Sequence, residues 1–409
     1  MRSYPICPQH ARSSATRFAQ YYFTKYVGRT NVSARLTITR THFCQRRFAI
    51  MSGEKSKANP KHPRLTVFSE LHLQWPDDWP EDDDHQMLDT LRIALPSMSS
   101  LRVFQMTWPS TPPSALLTSL AQCNTLRCLR IIDTPLGDLF QIPDFSKIEW
   151  MTLVPVAEAT CTGEGPFDYK FRELQYYTRP YRKRYRRNPN IVASHQYIFE
   201  SCLAKNVRYL QVSTQYLRSL VSLASSSWPE LETLVLTGRP LAMDLTSMAQ
   251  VLLQMPKLHD MRLLLARSDP GDLVITPFGS TSAFPPSHTD VFSRIKDMSL
   301  SNSYETLGLL KLTSTLERLS IAAVSLHPRV PIAMTTAELM CVLQGLEVGG
   351  GNFTLRKLRV MTEDNLTVEL FKRLGKIFPK LEFVEVEVCG YRDGKAGFKW
   401  VSAWISCNE

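Results

Sequence analysis

Apolar positions along the chain recur as a hexamer, apolar-x-x-apolar-x-apolar, and its clearest copy is Leu231, Leu234 and Leu236 within WPELETLVL at residues 228 to 236. The spacing returns at Phe68/Leu71/Leu73, Leu101/Phe104/Met106, Leu126/Leu129/Ile131, Ile148/Met151/Leu153, Val207/Leu210/Val212, Leu258/Met261/Leu263, Ile295/Met298/Leu300, Leu316/Leu319/Ile321, Leu355/Leu358/Val360 and Leu381/Val384/Val386. First residues of the eleven copies are 33, 25, 22, 59, 24, 27, 37, 21, 39 and 26 positions apart, mostly in or near the window of leucine-rich repeats, with the larger steps marking insertions. The last two apolar residues of each copy are two apart, so on a strand both point to one face and the first sits on the turn leading in.

Helical spacing precedes several copies, as in Leu245, Met248, Leu252 and Met255 or Leu366, Leu370, Leu374 and Phe378. One strand and one helix cannot bury an apolar side alone, so neighbours must stack. The expected fold is an α/β, irregular leucine-rich-repeat solenoid, curved, with parallel strands on the concave face and helices on the convex face. Pro229-Glu-Leu, Pro256-Lys-Leu and Pro379-Lys-Leu turn helix into strand, because proline cannot continue a helix. Residues 110 to 115 read as a helix start, and Thr335 with Glu338 matches a capping box.

The expected organisation is a basic disordered or targeting segment at 1–60, the solenoid at 61–390 with a basic insert at about 155–190 and a loop at about 268–290, and a cap or tail at 391–409. Phe398, Trp400 and Trp404 are the candidates to cover the apolar side of the last repeat. Residues 191 to 203 restore helical spacing, so one further repeat is expected inside the insert, its strand not identified.

Charge belongs to the appendages. The chain carries +10; residues 1 to 50 hold nine Lys or Arg and no acid, and residues 170 to 187 hold eight against Glu173, which leaves about −6 for the rest (10 − 9 − 7). Three readings of residues 1 to 50 stay open: a mitochondrial targeting segment, a stretch upstream of a true start at Met51, or a disordered basic tail. The Tyr- and Arg-rich insert around Arg182, Lys183, Arg184, Arg186 and Arg187 reads as a solvated loop, with nuclear import and single-strand nucleic-acid binding as alternatives. The acids Asp77, Asp78, Glu81, Asp82, Asp83 and Asp84 lack the spacing of a calcium loop and read as helix-start charges.

Nine widely scattered Cys without a C-x-x-C pair suit reduced thiols. No run of about eighteen apolar residues is present, so no membrane span is expected and the location expected is cytoplasmic or nuclear, or mitochondrial if residues 1 to 50 are a targeting segment. The chain shows no H-E-x-x-H, G-x-S-x-G or G-x-G-x-x-G motif and no zinc-type Cys/His set, and Gly349 to Asn352 are not followed by Lys-Ser/Thr. No catalytic residue, cofactor or metal is therefore expected.

Positions beside and between the strand apolars should face outward. They include Tyr209, Gln211, Asp260, Arg262, Asp297, Lys357, Arg359, Phe383 and Glu385, with Glu70, His72, Val103, Gln105, Ser213, Ser301 and Glu387 among the others. Mixed charge with a few aromatics suits a protein ligand on the concave face better than a phosphate backbone, which would call for a basic stripe. The irregular repeat, the recurring P-E-L and P-K-L and the uneven loops together resemble the repeat part of fungal F-box/leucine-rich-repeat proteins of the ribonuclease-inhibitor-like type, over roughly residues 61 to 390. The resemblance implies a substrate-recognition subunit of a cullin-type ubiquitin ligase, with a Skp-family adaptor as a further partner. No L-P-x-E-type F-box opening precedes residue 68, and the family's Asn or Cys eight residues after the first apolar position occurs once, as Cys389.

Overall fold

The computed structural model describes residues 34–39, 68–74, 91–92, 95–107, 112–134, 147–155, 172–176, 206–214, 217, 221–224, 227–238, 245–265, 291–301, 315–322, 335–348, 354–362, 367–392 and 395–404. The chain divides into two compact units, Met1–Gly165 and Pro166–Glu409.

In the first unit the strands β1 (Ala34–Thr39), β2 (Phe68–Gln74), β3 (Val103–Thr107), β4 (Cys128–Thr134) and β5 (Trp150–Pro155) pair in parallel, each with the next. The register is the one the hexamer demands. Leu36, Leu71, Phe104, Leu129 and Met151 form one row, and Ile38, Leu73, Met106, Ile131 and Leu153 form the next. From β2 to β5 these residues are buried, as are the first hexamer residues Leu101, Leu126 and Ile148. Helix α1 (Ser114–Gln122) starts where the paired prolines predict, after Pro113, and buries Leu116, Leu117 and Leu120. A short 3-10 turn at Leu95–Ser97 packs against it.

The second unit repeats the arrangement with β6 (Glu173–Tyr176), β7 (Tyr209–Ser213), β8 (Thr233–Gly238), β9 (Asp260–Leu265), β10 (Asp297–Ser301), β11 (Arg318–Ala322), β12 (Lys357–Thr362) and β13 (Phe383–Arg392), all parallel. Its inner rows are Leu174, Leu210, Leu234, Met261, Met298, Leu319, Leu358 and Val384, then Tyr176, Val212, Leu236, Leu263, Leu300, Ile321, Val360 and Val386. A parallel pair needs a crossover, and the ones seen contain α2 (Val221–Ala224), α3 (Leu245–Leu253), α4 (Thr336–Val348) and α5 (Val368–Ile377), with α2 packed beside α3 and α4 beside α5. Strand-helix units stacked through a shared parallel register are leucine-rich repeats, so each unit is an irregular solenoid of that class.

Local chemistry explains the junctions. Trp228, fully buried, donates its indole N–H to the Leu223 carbonyl at 2.9 Å and its backbone N–H to that of Gln254 at 2.8 Å, fixing the turn before β8 to the helices on either side. Thr335 and Glu338 form the expected capping box, with Thr335 N donating to Glu338 Oε2 at 2.8 Å and Glu338 N to Thr335 Oγ1 at 3.1 Å. Thr367 caps α5 by accepting from Leu370 N at 3.2 Å. Helices α3 and α5 end at Leu253 and Ile377, shortly before Pro256 and Pro379.

The residue after the first apolar position forms a ladder of its own: Arg102, Arg127 and Glu149 in the first unit; Arg208, Glu232, His259, Lys296, Glu317, Arg356 and Glu382 in the second. Its carbonyl accepts two N–H groups from the following repeat, as Arg208 O does from Glu232 N at 2.8 Å and Thr233 N at 2.9 Å. Ion pairs follow the ladder at Arg127–Glu149 (3.7 Å), Arg208–Glu232 (3.8 Å), Lys296–Glu317 (3.5 Å) and Arg356–Glu382 (3.6 Å). Exposed pairs of this kind contribute about 1 kcal/mol or less each.

Three expectations change. Strand β1 lies inside the segment 1–60 from which no element was expected, and it pairs along β2. The further repeat of the insert has its strand at Glu173–Tyr176, ahead of the helical spacing that signals it. The C-terminal stretch is a strand, β14 (Lys395–Trp404), paired antiparallel with β13, with Phe383 opposite Trp404, Glu387 opposite Trp400 and Cys389 opposite Phe398. In this register Val384 and Val386 stand opposite Ala403 and Val401.

Candidate protein-binding face

Alternation along each strand leaves the odd rows on the face away from the helices. In the second unit one such row runs Glu173, Tyr209, Thr233, Asp260, Asp297, Arg318, Lys357, Phe383, and the next runs Gln175, Gln211, Val235, Arg262, Ser299, Ser320, Arg359, Glu385. All nine expected face residues, Tyr209, Gln211, Asp260, Arg262, Asp297, Lys357, Arg359, Phe383 and Glu385, stand in these two rows.

Seven of the nine join four groups of side chains. Arg262 clasps Asp260 on its own strand, Nη2 to Oδ2 at 2.7 Å and Nε to Oδ1 at 3.1 Å, and Thr233 Oγ1 lies 3.5 Å from Oδ2. Asp260 is thereby 9% exposed while Arg262 stays exposed. One strand further on, the guanidinium of Arg318 grips Asp297 through Nε and through Nη2, the latter 2.6 Å from Oδ2. Arg359 reaches both Glu385 (3.9 Å) and Glu387 (3.5 Å) of the neighbouring strand. Hydrogen bonding to Asp260 raises the Arg262 pKa above its ordinary value, and the bond to Asp297 does the same for Arg318; Asp260 and Asp297 both act on each guanidinium, so the first two groups are one electrostatic cluster. Tyr209 Oη donates to Gln211 Oε1 at 3.2 Å at the other end of the rows. Arg318 was missed in the sequence although it sits immediately before Leu319, the offset that Asp297 holds before Met298.

Several positions expected to be open are buried. His72 is 4% exposed and meets Glu70 through Nε2 and Oε2 at 3.3 Å, on a strand that β1 flanks on the side that the sequence leaves bare. Ser213 is covered by the end of β8, where Gly238 has φ +105° and a Cβ would come within 2.9 Å of Ser213 Oγ. That close approach, in the left-handed region, requires glycine. Ser301, at the end of β10, and Glu387, beneath Arg359, are buried as well.

Arg182, Lys183, Arg184, Arg186 and Arg187 lie outside the described residues, as do the acids at 77–84, the loop at 268–290 and Gly349 to Asn352. Among the described residues no three or more His, Cys, Asp or Glu stand together as a metal-holding group, and no helix is long and apolar enough to cross a membrane.

No protein-family model and no curated protein matches the chain. Among solved structures, one similar chain is a Bacteroides fragilis protein at 11% identity, covering 92% of this chain and 82% of that one with a TM-score of 0.28. Another is an internalin of Listeria monocytogenes at 12% identity, covering 78% and 81% respectively with a TM-score of 0.32. The repeat assignment rests on the strand register of this chain.

Proposed function

We propose that the chain is a non-catalytic protein-binding leucine-rich-repeat protein whose partner lies across the two odd rows of the second unit. The observation that carries this reading is the register itself: between β7 and β13 it aligns Tyr209, Asp260, Arg262, Asp297, Arg318, Lys357, Arg359, Phe383 and Glu385 in two adjacent rows. Interfaces of proteins combine aromatic and Arg anchors with charges that fix orientation, and the rows hold both. The alternation of sign speaks against a polyanion lying along the face.

Affinity purification of the tagged chain from its native cell, wild type beside Arg262→Glu and Arg318→Glu, tests the reading. Preys lost with the face variants support it; preys retained by both end it. The ubiquitin-ligase role is the finer proposal and rests on the family resemblance alone. A Skp-family adaptor and a cullin among the preys would carry it, and their absence would leave a free-standing binding protein.

A further inference from the structure

Helix α5 carries an outward face that its own chain does not use. Val368, Lys372 and Lys376 stand four residues apart, so they follow one line along the helix, and all three are exposed, Val368 by 72%. Lys380, exposed in the turn beyond, continues the charge. Residues 368–380 hold Lys372, Arg373, Lys376 and Lys380 against Glu369, a balance of +3 (4 − 1) on a repeat body that is otherwise acidic. Neither Lys372 nor Lys380 makes an ion pair among the described residues. Of the acids described on the flanking segments, Glu382 is held by Arg356 and Glu338 by the backbone N–H of Thr335. Like charges four apart on a helix repel, so the line costs the free chain stability. A glycine adds an independent sign. Gly375 lies inside α5 beside this line, one turn after the partly exposed Phe371, and a Cβ built on it meets no atom within 4 Å. A helix interior favours alanine over glycine, and packing within the chain gives no reason here for the smaller residue. Close approach of another backbone would. Among the described residues no helix follows α5, because β13 leads into its antiparallel partner β14, so no later repeat supplies that neighbour.

We infer that the outward face of α5 is the docking site for an acidic, amphipathic helix of a protein partner, packed antiparallel along it. The partner's backbone passes close at Gly375, its carboxylates meet Lys372 and Lys376, and an apolar side chain covers Val368 and Phe371. The helix geometry sets the motif. At 1.5 Å per residue Lys372 and Lys376 are about 6 Å apart along the axis, so two acids four residues apart match them, and Val368 calls for an apolar residue four further on. Antiparallel packing puts those acids toward the N-terminal end of the partner helix, where its dipole favours them. An anionic membrane or a nucleic-acid strand would call for a broader basic surface than one line with Glu369 beside it. The site lies on the helical side and stands independently of the open-face reading above.

The test is selection from a phage library of alanine-based helical peptides, about 20 residues long, against the immobilised full-length chain, followed by fluorescence anisotropy of the labelled winner. Enrichment of two acids four apart with an apolar residue four beyond is expected, with binding about tenfold weaker for Lys372→Glu. Gly375→Gln separates docking from plain solvation: it should weaken binding about tenfold while the melting midpoint of the free chain holds or rises. Arg318→Glu, on the open face, should bind as wild type does. Winners without acids, winners indifferent to Lys372 and Gly375, or no winner at all would overturn the inference. A winner lost with Arg318→Glu instead belongs to the open face and overturns it too. So does sedimentation of the chain with phosphatidylserine vesicles that Lys372→Glu abolishes, since the line would then serve a membrane.

Discussion

The odd rows of the first unit run through Glu70, Val103, Cys128 and Trp150 and through His72, Gln105, Arg130 and Thr152, in the same register that places ion pairs across β9 to β13 of the second. Yet His72, Cys128 and Thr152 are buried, as are Ile132 and Val154 one row further, and Trp150 is 39% exposed. The second unit instead exposes Arg262, Arg318, Lys357 and Arg359. The inner rows are apolar in both, and from β2 to β5 and from β7 to β13 they are buried. Stacking thus constrains the even positions of every strand and leaves the odd ones free, so the outer rows of the first unit bury Cys128, Ile132 and Val154 beside an exposed Arg130, while those of the second carry a chain of ion pairs.

The largest effect that can break this comparison is on the inner rows. Leu129→Ala in the first unit and Leu234→Ala in the second should each cost about 2 to 5 kcal/mol in denaturant melts; a unit indifferent to its substitution has a different register. The odd rows should then part company. Ile132→Ala, buried in the first unit, should cost about 2 kcal/mol. Thr237→Ala, at the corresponding place in the second, should cost about 0.5 kcal/mol or less.

A pH ramp probes the first unit. Burial pushes the Cys123 thiol up from 9.0 to about 11, where Sγ donates to the Leu95 carbonyl at 3.1 Å. The unfolded chain loses this proton at lower pH than the folded one. The resulting stability is complete below pH 9 and is lost as pH rises through about 11, by about 2 kcal/mol or less. Cys123→Ala should flatten that part of the stability-pH curve, and an unchanged slope would show that the thiol titrates normally. Removing the cap with Thr367→Ala should cost about 1 kcal/mol. Smallest of all, Asp297→Asn should cost under about 1 kcal/mol in melts, since the Arg318 it releases is exposed, while weakening partner binding.

Much of this architecture was legible because burial on a pleated strand imposes a period of two, and each of the eleven hexamer copies became a strand with its last two apolar residues in the inner rows. Strand β6 escaped because its copy, Phe171, Leu174 and Tyr176, ends in Tyr within a run read for its Arg content. Strand β1 escaped because Ser33 occupies the first apolar position, leaving Leu36 and Ile38 too short a signal. The outward offset put Asp260 and Arg262 in the outer rows, but did not tell which charges would meet. Asp297 with Arg318, 21 residues apart, and Arg359 with Glu385 depend on the register between repeats, which no single repeat encodes. Likewise, the place of Trp400 and Trp404 follows from β14 running antiparallel, a direction that composition does not reveal.

The ladder of charged residues after the first apolar position bears on how the chain avoids folding wrongly. Each of them lies two residues before an inner-row apolar, so it shares that residue's parity on the strand: Glu232 with Leu234, Arg356 with Leu358. Pleating alone rejects a slip by one residue, since every side chain would change face, but it tolerates a slip by two. With these charges present, a two-residue slip would drive a carboxylate, guanidinium or ammonium into the apolar layer, at a cost of several kcal/mol for each ion left without a partner. A strand added to the growing stack is therefore steered away from the slip that carries its ladder charge inward, and the polar rim that contributes little to the finished molecule discriminates against that misassembled competitor.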